Sequence, residues 1–193
     1  MEKNRRDFLK IVSSSALATS ILSLGVCYGR ENPKQKDERI THKRRVEEAH
    51  SLIEKYGNCC TSVFAAYAPE LGMEKTLAAK LTRGMPGIGS LGDVCGTVSG
   101  ATLVIGLKTT NKNNIYDMQA RHKTNETVRE FVARFKKLHS SIKCCELLDR
   151  DISTSEKLEA AIKDNAFTKC IKYVESAVNI LDDIFNNAVS ITQ

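Results

Sequence analysis

No tryptophan occurs in this 193-residue chain, and only three prolines do. None of the prolines interrupts a helical pattern, so long helices meet few breakers. The eleven aromatics (five Tyr, six Phe) are spread thinly. No Lys/Arg block is interleaved with them, which argues against a nucleic-acid stacking platform. No stretch shows the sustained alternation of a half-buried strand, and there is no internal repeat. Cys-x-x-Cys spacing is absent, which counts against a zinc ribbon, a thioredoxin-type dithiol and a ferredoxin-type cluster loop. Without Cys-x-x-Cys-His, covalent attachment of a c-type haem is not encoded. Neither a Ser/His/Asp arrangement nor a carboxylate pair stands out. No substrate-turnover site is therefore identified, and whether the chain is an enzyme stays open.

What is present bounds the class. Hydrophobic residues make up 41% and charged residues 27%, so the chain is neither a disordered tail nor a membrane bundle. The net charge is +6, with both signs mixed along the sequence. The length suits one ordinary domain with an appendage. The seven cysteines are too sparse for a small disulfide scaffold and too numerous to dismiss as buried hydrophobes.

The first thirty residues read as an address. Arg5-Arg6-Asp7-Phe8-Leu9-Lys10 resembles a bacterial twin-arginine (Tat) export signal. The uncharged run Ile11 to Val26 fits the apolar region of a cleaved signal. It is too short for a span, which needs about 20 apolar residues. Residues 1–27 are accordingly assigned to a signal peptide, with Tat export machinery as a partner. The destination is the periplasm or the outer face of the cytoplasmic membrane. Lipidation at Cys27 is disfavoured because bulky Val26 precedes it. Residues 28–44 read as a polar tether and 45–193 as the folded domain.

Within that domain the pattern is helical. Ala49, Leu52, Ile53, Tyr56, Cys60, Val63, Phe64 and Tyr67 recur at three and four residues as one apolar stripe. Gly57 marks a kink or a new start inside it. Met73 to Leu81 forms a short helix, and a loop with four glycines, Gly84 to Gly92, follows. Asp93 is placed to cap a helix from Val94 to Leu107, in which Gly96 and Gly100 imply close packing against a neighbour or cofactor. Ile115 to His139 carries Val128, Phe131, Phe135 and Leu138. Ser153-Thr154-Ser155-Glu156 offers a capping box. Phe167 to Val189 places Cys170, Val174, Ala177, Val178, Leu181, Ile184 and Phe185 on one face. The expected fold is a single all-α domain of about five or six helices. Gly87-Ile88-Gly89-Ser90-Leu91-Gly92 matches Gly-x-Gly-x-x-Gly, but a helix precedes it instead of a strand, so a dinucleotide site is rejected.

The six cysteines of the domain fall on four separate elements. Cys95, near a helix start, is placed where the dipole favours thiolate. Three runs carry a family resemblance. They are Gly57-Asn58-Cys59-Cys60, the glycine loop running into Cys95-Gly96-Thr97-Val98-Ser99-Gly100, and Cys144-Cys145-Glu146-Leu147-Leu148. With Cys170 opening the last helix, they resemble the C_GCAxxG_C_C family of redox-active proteins, related to split-Soret cytochromes c. The resemblance covers about residues 50–185 and implies that Cys60, Cys95, Cys144 and Cys170 bind a cofactor. The implied cofactor is an iron–sulfur cluster, [2Fe–2S] or [4Fe–4S], exchanging electrons with a partner oxidoreductase. The glycine loop beside Cys95 is expected to aim backbone N–H groups at the sulfurs.

Other readings stay open from the residues alone. The same four cysteines can form structural or exchanging disulfides, a zinc site, or inert core thiols. Cys59 and Cys145 are either a further disulfide or unrelated neighbours. His50, His122 and His139 read first as surface residues. Lys136, Lys137 and Arg134 form a solvated basic face that could also dock an acidic redox partner. Association into a homodimer is left open.

Overall fold

With few prolines to stop them, the segments stay helical. A computed structural model describes residues 33–190, in which nine α-helices and one 3-10 turn account for the regular structure. The β-type pairing among the described residues is an isolated bridge between Val94 and Lys143. The all-α expectation is met. There are more pieces than expected because several are only one or two turns long. The signal segment 1–27, with Arg5, Arg6 and Cys27, lies outside the described residues.

Helix α1 (Pro33–Tyr56) takes in most of the segment expected to be a tether. Its Lys, Arg and Glu residues are good helix formers, and nothing inside it breaks the run. Gly57 ends α1: at φ +58° it donates its N–H to the Ile53 carbonyl at 2.8 Å, a left-handed turn that favours glycine. Helix α2 (Cys59–Tyr67) then starts in a new direction and is buried along nearly its whole length. It packs against α1, against α3 (Lys75–Leu81), and against two later helices, α5 (Gly96–Thr109) and α9 (Cys170–Ser190).

The α2–α5 contact explains the small residues of α5. A Cβ on Gly100 would lie 2.7 Å from the Cys60 carbonyl oxygen, and one on Gly96 would lie 2.9 Å from Pro86 Cα. Nothing lies within 4 Å of the corresponding point on Gly106 in the same helix. Gly100→Ala should therefore destabilise by about 1–3 kcal/mol through overpacking. Gly106→Ala should stabilise by up to about 1 kcal/mol through helix propensity alone. Urea unfolding of the two variants checks the opposite signs.

Helix α6 (Met118–His139) buries Phe131 and Phe135 on one side, their rings stacked at 5.9 Å. Leu138, expected on that stripe, is 61% exposed. It sits about 300° around the helix from Phe135, at the stripe's margin. Helix α9 closes the core with Val174, Ala177, Val178 and Leu181, each fully buried. Helices α7 (Cys144–Leu148) and α8 (Ser155–Lys163), with the 3-10 turn (Ala166–Lys169), form a lid of short pieces beside the start of α9. Thr154 caps α8 by accepting from the Lys157 N–H, one residue later than the Ser153/Glu156 capping box implies.

At the opposite end of α9 a charged cluster is drawn into the core. Asp182, 6% exposed, accepts from the Tyr67 hydroxyl at 2.8 Å, from Arg45, and from His42 at 2.6 Å. The Arg45 guanidinium also lies over the Tyr67 ring, 4.4 Å from its centroid, and pairs with Glu70. Burial and then the Asp182 charge push the Tyr67 hydroxyl well above its usual pKa, so it stays a donor.

Candidate functional site: a cavity lined by cysteines

A glycine-rich segment builds one wall of the site. After α3, the chain turns through α4 (Gly87–Ser90), a single helical turn broken by non-helical backbone. Gly87, Ile88, Gly89 and Ser90 all have positive φ. For β-branched Ile88, at φ 39°, this is a strained conformation of the kind that clusters at functional sites. The loop then runs alongside α7. The Cys144 N–H donates to the Asp93 carbonyl at 2.7 Å, the Cys145 N–H to Gly92 at 3.0 Å, and the Cys95 N–H to Ile142 at 2.7 Å. These bonds fix Cys95 and Cys144 relative to each other.

Glycine is needed here for close approach. A Cβ on Gly87 would stand 3.2 Å from Cys144 Cβ, and one on Gly96 would stand 2.6 Å from Cys59 Sγ. The loop's N–H groups, expected to point at sulfur, are largely used within it. Ile88, Gly89, Ser90, Leu91 and Asp93 each donate to a nearby backbone carbonyl. What the loop supplies to the cysteines is room and position.

The start of α2 is set by Asn58, which sequence reasoning does not single out as a functional residue. Its side-chain oxygen caps the helix by accepting from the Thr61 N–H at 2.9 Å, and its amide donates to the Thr82 and Arg83 carbonyls at 3.3 Å. The next residue is Cys59, which is thereby held against the end of α3. The pattern Asn followed by an apolar helix is an N-cap signal that could have found it. Tyr173 on α9 likewise escapes a reading of the sequence. Its hydroxyl donates to the Leu147 carbonyl at 2.7 Å, while Lys169 Nζ donates to the Leu148 carbonyl at 3.0 Å. Together they hold the C-terminal end of α7 against α9, one turn from Cys170.

Between these parts lies a cavity of about 580 Å³, lined by Cys59, Cys95, Cys144 and Cys170. Apolar side chains of α7, α8 and the 3-10 turn complete much of its wall, with Tyr173 and Arg83 among the polar groups. The volume lies within the range of small-molecule sites. Three of the four cysteines implied by the sequence thus meet at one place. At the first position the cavity is lined by Cys59, and Cys60 is buried beside it against the α5 backbone at Gly100. Cys145 is half-buried and faces Gly92. His50, His122 and His139 do not line the cavity.

The thiols are crowded. All six of the domain are free. Cys59 lies close enough to both Cys170 and Cys95 for each to perturb its thiol. Cys170 pushes Cys59 up to about 12, with burial adding to the rise, and burial pushes Cys144 up to about 12. The nearby Cys59, followed by burial, holds Cys95 well above its usual value. The helix-start expectation for Cys95 is therefore reversed. Cys95 does occupy the N-cap of α5, and Asp93 does not, but burial among other sulfurs outweighs the dipole.

Reactive thiols sit in electropositive surroundings that lower their pKa; these have the opposite environment. Four soft donors crowded together suit a soft cationic centre, which deprotonates its thiol ligands outright. Among the described residues, no three His, Cys, Asp or Glu side chains are arranged to hold a metal ion as they stand. Tetrahedral Zn–S bonds of about 2.3 Å require thiolates about 3.8 Å apart. A cluster spreads its ligands over several irons and accepts wider separations. In donor chemistry, these thiols are of the type that ligates either a zinc ion or an iron–sulfur cluster.

A family model described as "Putative redox-active protein (C_GCAxxG_C_C)" matches residues 56–184. No curated protein and no solved structure matches the chain.

Proposed function

Since the chain belongs to the C_GCAxxG_C_C redox-active family, we propose that it is an electron-transfer protein whose cavity cysteines hold an iron–sulfur cluster. The observation that carries this reading is the meeting of Cys59, Cys95, Cys144 and Cys170, from four different elements, on one cavity. Such a cluster supplies reversible one-electron chemistry when bound. The chain's own residues do the rest. Asn58 and the Gly92–Asp93 carbonyls position the ligands. Gly87 and Gly96 leave space, and the apolar wall limits water. A partner oxidoreductase exchanges the electron.

A thiol–disulfide role is the second reading, favoured by the placement of Cys59, Cys95 and Cys170 on one cavity. Their raised pKa values set against it, because thiolate is the attacking species. The reading also includes export through the Arg5-Arg6 signal to the periplasm or the outer face of the cytoplasmic membrane, checked by following the tagged chain into cell fractions.

The deciding experiment is anaerobic purification followed by iron, sulfide and zinc assays and a visible spectrum. Stoichiometric iron and acid-labile sulfide with sulfur-to-iron charge-transfer bands are expected. A colourless, iron-free protein after attempted cluster reconstitution would overturn the proposal. In that case counting thiols with and without reductant identifies disulfides.

A further inference from the structure

The wall of the cavity contains Tyr173, 4% exposed, one turn along α9 from Cys170. Its ring meets the edge of His139 at 4.8 Å between centroids, and His139 in turn meets Phe135 at 4.7 Å. His139 is only half-buried, at the last residue of α6. Two touching rings therefore connect the cysteine cavity to the protein surface. Packing alone does not call for a histidine here. Its Nε2 is buried without a hydrogen-bond partner, a cost that an apolar residue of similar size would avoid.

The surface over these rings is basic. The last turn of α6 contributes Lys136, three residues before His139 and so on its side of the helix. Lys172 Nζ lies 5.0 Å from the Tyr173 ring centroid and is close enough to His139 to help burial hold the imidazole below its ordinary pKa. Lys143 stands at the start of α7, where Glu146, 3.6 Å away, offsets one positive charge. Lys136 and Lys172 are exposed and make no ion pair among the described residues.

We propose that electrons pass between the cysteine site and a partner through Tyr173 and His139, beneath a lysine-rich surface that docks an acidic redox protein. This rests on the cluster reading above. Tunnelling weakens steeply with distance, so the partner is best seated where the site comes nearest the surface through bonded or touching groups. Complementary charge raises the encounter rate there and rejects basic partners. The cavity mouth, marked by Arg83, is the competing exit.

Two measurements on the full chain test the route. In metal-free protein, the inert paramagnetic anion hexacyanochromate(III) should broaden the NMR signals of His139 and Lys172 before those of Arg83. In reduced, cluster-loaded protein, ferricyanide takes one electron and becomes ferrocyanide, with no bond or proton transferred. Lys136→Glu with Lys172→Glu should slow that step at least about tenfold at low salt while leaving the visible spectrum unchanged. The effect should shrink at high salt, and a cationic cobalt(III) phenanthroline oxidant should show the reverse. His139→Leu should slow both oxidants, and His139→Phe should restore them. Rates that respond to Arg83→Glu and ignore the lysines, or broadening centred on Arg83, would overturn the route while the cluster stands. A chain that binds no redox centre overturns the cluster reading and the route with it, even if the anion still seats on the lysines.

Discussion

Cys59→Ala should lose its iron, whereas Cys60→Ala should keep it. The two residues are neighbours, and the family resemblance assigns the ligand role to the second. Adjacent helical residues point about 100° apart, so only one can face a given cavity. Cys59 lines the cavity with Cys95 and Cys170, while Cys60 does not line it and is fully buried beside the α5 backbone. Loss of a group merely supporting a ligand costs 10–100-fold in metal affinity, so loss of Cys59 should cost at least about tenfold. Iron per chain and the visible spectrum after reconstitution measure it. Cys145→Ala, on the far side of α7 against Gly92, should behave like Cys60→Ala. The opposite pattern, iron lost with Cys60 and retained without Cys59, would return the ligand role to Cys60.

The second large effect is on stability and involves residues that do not line the cysteine cavity. Asp182→Ala should destabilise the fold by about 3–5 kcal/mol, the range for removing one partner of a buried ion pair. Arg45 and Asp182 side chains are only 10% and 8% exposed. Without the carboxylate, Arg45 keeps Glu70, and Lys108, held below its ordinary pKa first by burial and then by Arg45, shares the same acid at 2.9 Å. The Tyr67 hydroxyl keeps only the Val178 carbonyl at 3.3 Å. The measurement is urea unfolding with an unchanged m-value. Pairing Asp182→Leu with Arg45→Met should recover much of the loss, since apolar replacement of a whole buried pair is often neutral. No recovery would mean that the network, beyond the desolvated charge, specifies how α1, α2 and α9 meet.

Much of the helical framework is legible in the residues alone. The stripe on α9 is a local property of spacing, and Val174, Ala177, Val178, Leu181 and Ile184 are all buried there. Gly57 ends α1 with positive φ, as its place in the stripe suggests. Gly96 and Gly100 imply a close neighbour, and that neighbour is α2 together with Pro86. The 33–44 segment marks a limit: its polarity suggests a tether, although the same residues are good helix formers and lie within α1. Tyr173 and Asn58 carry no unusual pattern by themselves; their roles depend on carbonyls many residues away.

The sequence by itself determined an all-α domain, the family to which it belongs, and the distribution of its cysteines over four elements. These follow from local periodicity and from short motifs, each confined to a few consecutive residues. Only the tertiary structure decided which sulfurs share a cavity. Periodicity finds the buried face of a helix that has one exposed side, but α2 is buried on nearly all sides. Its stripe therefore could not tell Cys59 from Cys60, and the choice passed to the neighbours that α3, α5 and α9 bring against it. The glycine loop shows the same division. Its composition announced close approach, and only the fold showed that what approaches is the Cys144 helix, held there by backbone hydrogen bonds.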